Sequence, residues 1–172
     1  MSNVRLPTKG ASVPLEALKD SPTDFDFIIG TWTVRHERLN QLFAACTEWT
    51  EFTGLSSTSK TLGGFGNLED NLLRFPGGDA RATAIRSYSP DLGTWSIWWL
   101  DGRNPGTLDT PVVGKFDSGI GTFFAEDNLN GTPIRVRFTW NSTTENPRWE
   151  QAFSNDGGKF WEPNWRMEFI PA

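Results

Sequence analysis

One cysteine, one histidine and one tyrosine are all that the 172 residues contain of those types. The lone Cys46 excludes an internal disulfide and fits a reducing compartment. A single histidine beside a single cysteine cannot supply a zinc site of the usual kind, and His36-Glu37-Arg38-Leu39 lacks the second histidine of a metalloprotease helix. No segment approaches the roughly 18 consecutive apolar residues of a membrane span. The opening MSNVRLPTKGASVPLEALKD has no apolar core of signal-peptide length, so the expected location is cytoplasmic. Without a secretory route, Asn141-Ser142-Thr143 reads as a polar turn rather than a glycosylation site. Lysines and arginines form no cluster, the net charge is -5 and the pI is near 4.9, which excludes nucleic acid and membrane as expected partners. No Gly-x-Ser-x-Gly elbow is present, and Gly63-Gly64-Phe65-Gly66 neither follows the dinucleotide spacing nor opens a helix.

Aromatic residues are abundant instead, with nine tryptophans and thirteen phenylalanines. Large rings bury much area per residue, and they also wall a pocket for a flat or apolar ligand. Seventeen glycines and eleven prolines punctuate the chain, and no helical periodicity persists beyond two or three turns. The pattern predicts an all-β antiparallel meander. Strands are expected at 27–39, 47–55, 58–62, 69–75, 81–88, 95–101, 111–117, 120–126, 133–140, 148–154 and 161–169. One short helix is expected at Pro14 to Lys19, within an N-terminal extension of residues 1–22, followed by a single domain of residues 23–172.

Two hairpins stand out. The turn Pro90-Asp91-Leu92-Gly93 would bring Tyr88 opposite Trp95 and Arg86 opposite Ile97. Near the C-terminus, Ser154-Asn155-Asp156-Gly157-Gly158-Lys159-Phe160-Trp161 resembles the Asp-box pattern Ser-x-Asp-x-Gly-x-x-Trp, in which the aspartate caps turn amides. That last hairpin would turn Trp149, Gln151, Phe153, Trp161, Trp165, Met167 and Phe169 to one apolar face, and Arg148, Glu150, Glu162, Asn164, Arg166 and Glu168 to water. Closing the sheet on itself covers such a face and removes its edges.

The segment Gly30-Thr31-Trp32, opening the first strand of a meander that ends on a strand with a basic residue, resembles the calycins: lipocalins, fatty-acid-binding proteins and nitrobindins. Longer stretches, FDFIIGTWTVRHERL, TEWTEF, WSIWWLDGR, PVVGKFDSGIGTFF and RWEQAFSNDGGKFWEPNW, are similar to small uncharacterised lipocalin-like bacterial and fungal proteins. The resemblance implies an up-and-down lipocalin-like β-barrel with a short N-terminal helix. It also implies that Trp32 packs across the closed end, with a last-strand arginine over its ring. Arg166 is the candidate for that arginine, with Arg148 behind it, and both roles are structural.

Strand parity supplies the candidate site. If Trp32 faces inward, so do Val34, His36 and Arg38, and the returning strand would bring Trp49 and Glu51 close to His36. A carboxylate beside an imidazole raises its pKa and suits a general base or a hydrogen-bond anchor, so His36 and Glu51 are the catalytic candidates. An ion pair between Glu51 and Arg38 at the barrel rim is the competing reading. Arg38, Trp49, Arg86, Tyr88, Trp99 and Gln151 are the candidates for contact with a ligand. For the 81–101 hairpin the opposite face, with Thr83, Ile85, Ser87, Ser96, Trp98 and Leu100 inward, is equally admissible. Two functions stay open: binding of a small hydrophobic or aromatic molecule, or cofactor-free isomerase, cyclase or lyase chemistry through His36. Neither requires a cofactor or metal. Haem binding of the nitrobindin kind is a minor alternative, since those relatives carry the axial histidine near the C-terminus and His36 lies on the first strand. A homodimer is compatible with either function.

Overall fold

The computed structural model describes residues 21–172. The helix expected at Pro14 to Lys19 lies outside the described residues; within them only two 3-10 turns occur, Asp26–Ile28 and Leu62–Gly64. Everything else regular is strand: β1 Gly30–Leu39, β2 Trp49–Thr61, β3 Gly66–Phe75, β4 Gly78–Ser89, β5 Thr94–Asp101, β6 Val112–Asp117, β7 Ile120–Leu129, β8 Thr132–Asn141, β9 Arg148–Ser154 and β10 Glu162–Pro171. Each strand pairs antiparallel with its neighbour in the chain, and β1 pairs with β10, so the ten strands close an up-and-down barrel. The segments expected at 47–55 and 58–62 are one continuous strand, because Ser56 and Ser57 between them join the ladder opposite Asn71 and Asp70.

Burial alternates along every wall, as a sheet closed around a core requires. Val34 and His36 of β1, Phe52, Gly54, Ser56 and Thr58 of β2, and Ala80, Ala82, Ala84 and Arg86 of β4 are buried. On the 81–101 hairpin the inward set is therefore Arg86, Tyr88, Trp95, Ile97 and Trp99, with Arg86 opposite Ile97 and Tyr88 opposite Trp95.

One end of the barrel is plugged by the chain entering it. Phe25, buried, meets Trp95 edge-on at 5.0 Å and Phe116 at 4.9 Å between ring centres. Trp32 donates from Nε1 to the Ile28 carbonyl at 2.8 Å and stands edge-on to Phe169. Arg166 does not reach it. Trp32 is opposite Pro171 in the β1–β10 ladder, whereas Arg166 is opposite Glu37 and points outward onto Trp49, 4.4 Å from its ring centre. Arg148 is also on the outside, paired with Glu168 at 3.2 Å. The arginine that does lie among closed-end rings is Arg86, between Phe25 at 5.0 Å and Trp140 at 5.2 Å. It pairs with buried Glu69 and donates from Nη1 to Asn67 Oδ1 at 2.8 Å, while Ser56 donates to Glu69 at 3.2 Å.

The last hairpin carries a β-bulge between Pro163 and Trp165. A bulge adds one residue to one strand and shifts the faces beyond it. Asn164, expected in water, is consequently buried, and Trp161, expected inside, packs outside against Phe124 and under Arg137. The turn itself matches the Asp-box pattern: Ser154 Oγ and the Lys159 and Phe160 amides donate to Asp156, which holds its carboxyl below the usual range.

Candidate functional site

The end opposite the plug opens into a cavity of about 680 Å³. Its wall is aromatic. Trp99 and Trp149 both stand edge-on to Trp165, at 6.0 and 5.9 Å between centres, and Phe138 is edge-on to Trp149 at 4.8 Å. Phe52, Phe75 and Phe153 complete it. Parity delivers these residues, since each is an inward position on its strand.

A few polar groups converge on this wall. Arg38 stands exposed at the rim with its guanidinium 5.0 Å from the Trp165 ring centre, and among the described residues no carboxylate pairs with it. Partial burial, then the charge of Arg103, weakens its hold on its proton, and Asp101 opposes them. An arginine so placed remains a cation at neutral pH. Arg103 is neutralised in place: it grips Asp101 from Nη2 at 2.6 Å and from Nε at 3.0 Å, holding that carboxyl below the usual range. Asp109 titrates above the usual range, through burial first and then the neighbouring charges of Asp127 and Asp101. Gln151 donates to Asn164 Oδ1 at 2.7 Å, so the bulge presents an amide pair to the cavity.

His36 lies beneath this mouth, 2% exposed. Its ring stacks on Phe52 with centres 4.6 Å apart and planes 3° from parallel, and Trp165 Nε1 donates to its Nδ1 at 3.2 Å. An indole N–H can only donate, so Nδ1 is the accepting nitrogen and the neutral ring carries its proton on Nε2. Burial lowers the imidazole pKa to about 4. Nε2 points toward Gly54, where an added Cβ would come within 2.8 Å of it. The glycine leaves the room that the ring occupies.

The expected histidine–carboxylate pair is not formed. His36 is opposite Phe52, and Glu51 is opposite Glu37 on the outer face. Trp49 is likewise outside, under Arg166. Glu51 borders a second cavity of about 870 Å³, lined by outer charges that largely pair among themselves, Arg166 with Glu37 and Glu150 and Arg148 with Glu168, and by the inward His36, Phe52, Trp149 and Met167. Of the remaining candidates, Arg38, Trp99 and Gln151 line the mouth, while Arg86 and Tyr88 face inward at the plugged end.

No protein-family model matches the chain, and no curated protein matches it. The closed ten-stranded antiparallel barrel is compatible with a calycin-like fold. Among the described residues no cluster of three or more histidine, cysteine, aspartate or glutamate side chains could hold a metal. No helix among them is long and apolar enough to cross a membrane.

The residues that sequence reasoning missed are Trp165 as the hub of the wall, Asn164, and the Asp101–Arg103 pair. Asp101-Gly102-Arg103, directly after the WSIWWL run, carried a legible signal: opposite charges two residues apart at a strand end. Asn164 carried none, because its inward turn depends on the bulge.

Proposed function

We propose that the barrel binds a small, flat, apolar or aromatic molecule in its mouth, rings against Trp99, Trp149 and Trp165 and polar end toward Arg38. One observation carries this reading: a mouth cavity walled by three tryptophans, with a rim arginine that no described carboxylate neutralises. Apolar walls supply the affinity and a few placed polar groups the orientation. The Gln151–Asn164 amides offer further hydrogen bonds to that polar end. The chemistry of His36 favours binding over proton abstraction. A base whose conjugate acid has a pKa of about 4, with no carboxylate beside it, holds a proton poorly at neutral pH. Its buried ring serves better to hold Phe52 by stacking and Trp165 through the bond that Nδ1 accepts.

Titration with 1-anilinonaphthalene-8-sulfonate, an aromatic sulfonate, tests the reading through quenching of tryptophan emission. Binding is expected to weaken about tenfold in Arg38→Ala, the loss of one charge-assisted contact, and comparably in Trp99→Ala. Absence of quenching, or quenching that neither substitution changes, would contradict the assignment.

A further inference from the structure

Among the described residues two cations line the mouth, Arg38 and Arg103, and they are held differently. Both lie on rings of its wall, Arg38 over Trp165 and Arg103 over Phe75, each guanidinium 5.0 Å from the ring centre. Stacking on a ring fixes a guanidinium in place and leaves its N–H edge for other partners. Arg103 has already used that edge. Its Nε and Nη2 donate to the two oxygens of Asp101 at 3.0 and 2.6 Å, and its backbone N–H donates to Asp101 Oδ1 at 2.8 Å. Asp101 is thereby turned to Arg103, two residues on, and forms no ion pair with Arg38. The second carboxyl of the lining, Asp109, does not neutralise Arg38 either. The charges that act on Asp109 are Asp127 and Asp101, whereas those that act on Arg38 are Arg103 and Asp101.

We infer that the guest of this mouth is an aromatic monocarboxylate received by Arg38, and that Asp101 limits the site to that single charge by occupying Arg103. The inference rests on the mouth being a ligand site and adds the charge class of the ligand. A carboxylate meets the planar edge of a guanidinium with two parallel hydrogen bonds. A neutral polar end would strip water from the Arg38 cation without supplying a counter-charge. A cationic one would meet Arg38 as a like charge. A second negative charge would find Arg103 taken. It would also face Asp101, Asp109 and Asp127, where burial and the two neighbouring charges already hold the Asp109 carboxyl above its usual range. Asp101 touches no part of the guest in this arrangement; it is a positioning residue that acts through Arg103.

Isothermal titration of the full chain with naphthalene probes of different charge tests this: naphthoate, naphthamide, naphthylmethylamine and naphthyl phosphate, the last a dianion at about pH 8. Naphthoate is expected to bind about tenfold more tightly than naphthamide, and naphthyl phosphate no more tightly than naphthoate. Asp101→Asn keeps an acceptor for the Arg103 amide but leaves the guanidinium charge unpaired, so naphthyl phosphate should gain about fivefold over naphthoate. Arg103→Gln should act in reverse. Asp101, released, turns to Arg38, and the preference for naphthoate over naphthamide falls about threefold or more. A loss of packing would weaken every probe alike, whereas these changes move their ratios. Equal binding of naphthoate and naphthamide overturns the inference and leaves the mouth a site. So does tightest binding of naphthylmethylamine, or a probe order that Asp101→Asn and Arg103→Gln both leave unchanged. Binding of none of the probes removes the mouth as a site, and the inference with it.

Discussion

Acidification should destabilise this barrel through one side chain. His36 titrates near 4 in the folded protein because burial disfavours its charged form, whereas an unfolded histidine titrates near 6.5. The unfolded chain therefore takes up the proton first. Stability from this group is complete above the unfolded value and is lost as pH falls toward the folded one. Integrating between pH 7 and pH 4.5 gives a loss of about 2.5 kcal/mol. His36→Asn isolates the effect, because an amide oxygen can still accept from Trp165 but does not titrate. Carboxylates protonate in both proteins and cancel in the difference. Urea unfolding at a series of pH values should show the wild type losing that amount relative to His36→Asn. A difference that stays constant from pH 7 to pH 4.5 would refute the assignment of a buried neutral imidazole.

Two further expectations rest on the interior. Gly54→Ala would set a methyl 2.8 Å from His36 Nε2 and 2.6 Å from the Leu72 carbonyl, so a loss of about 1–3 kcal/mol is expected in chemical denaturation. Arg86→Met should cost about 3–5 kcal/mol by stranding the buried Glu69 carboxylate, whereas adding Glu69→Leu should recover much of that loss in a double-mutant cycle.

Where a tight turn fixed the register, the sequence was readable down to residue pairs. Pro90 to Gly93 left a single sensible pairing, and Arg86 with Ile97 and Tyr88 with Trp95 follow from it. Parity along β1 likewise put His36 inside without any knowledge of its neighbours. The failures cluster where a connection adds or removes one residue. Between β1 and β2 the loop takes up positive φ at Phe43 and Ala45, and the returning strand lands with Phe52, not Glu51, against His36. A slip of one residue exchanges the faces of a whole strand, which turned Trp49 and Glu51 out together. The bulge before Trp165 did the same to Trp161 and Asn164. The Glu69–Arg86 network was illegible for another reason. Asn67, Glu69, Asp70 and Asn71 put polar groups on both parities of β3, so alternation offered no sign of which would be buried.

Trp165 touches both levels of the barrel: its indole nitrogen is bound to the imidazole below, and its ring helps to wall the opening above. A protonated imidazole and an indole are both obligate donors and cannot share that bond. Once His36 takes up a proton, the indole must swing aside, and whatever rests against it loses a surface. Occupancy of the mouth and acidity of the medium are thus tied through a single hydrogen atom, and by reciprocity a guest that pins Trp165 makes the histidine harder to charge.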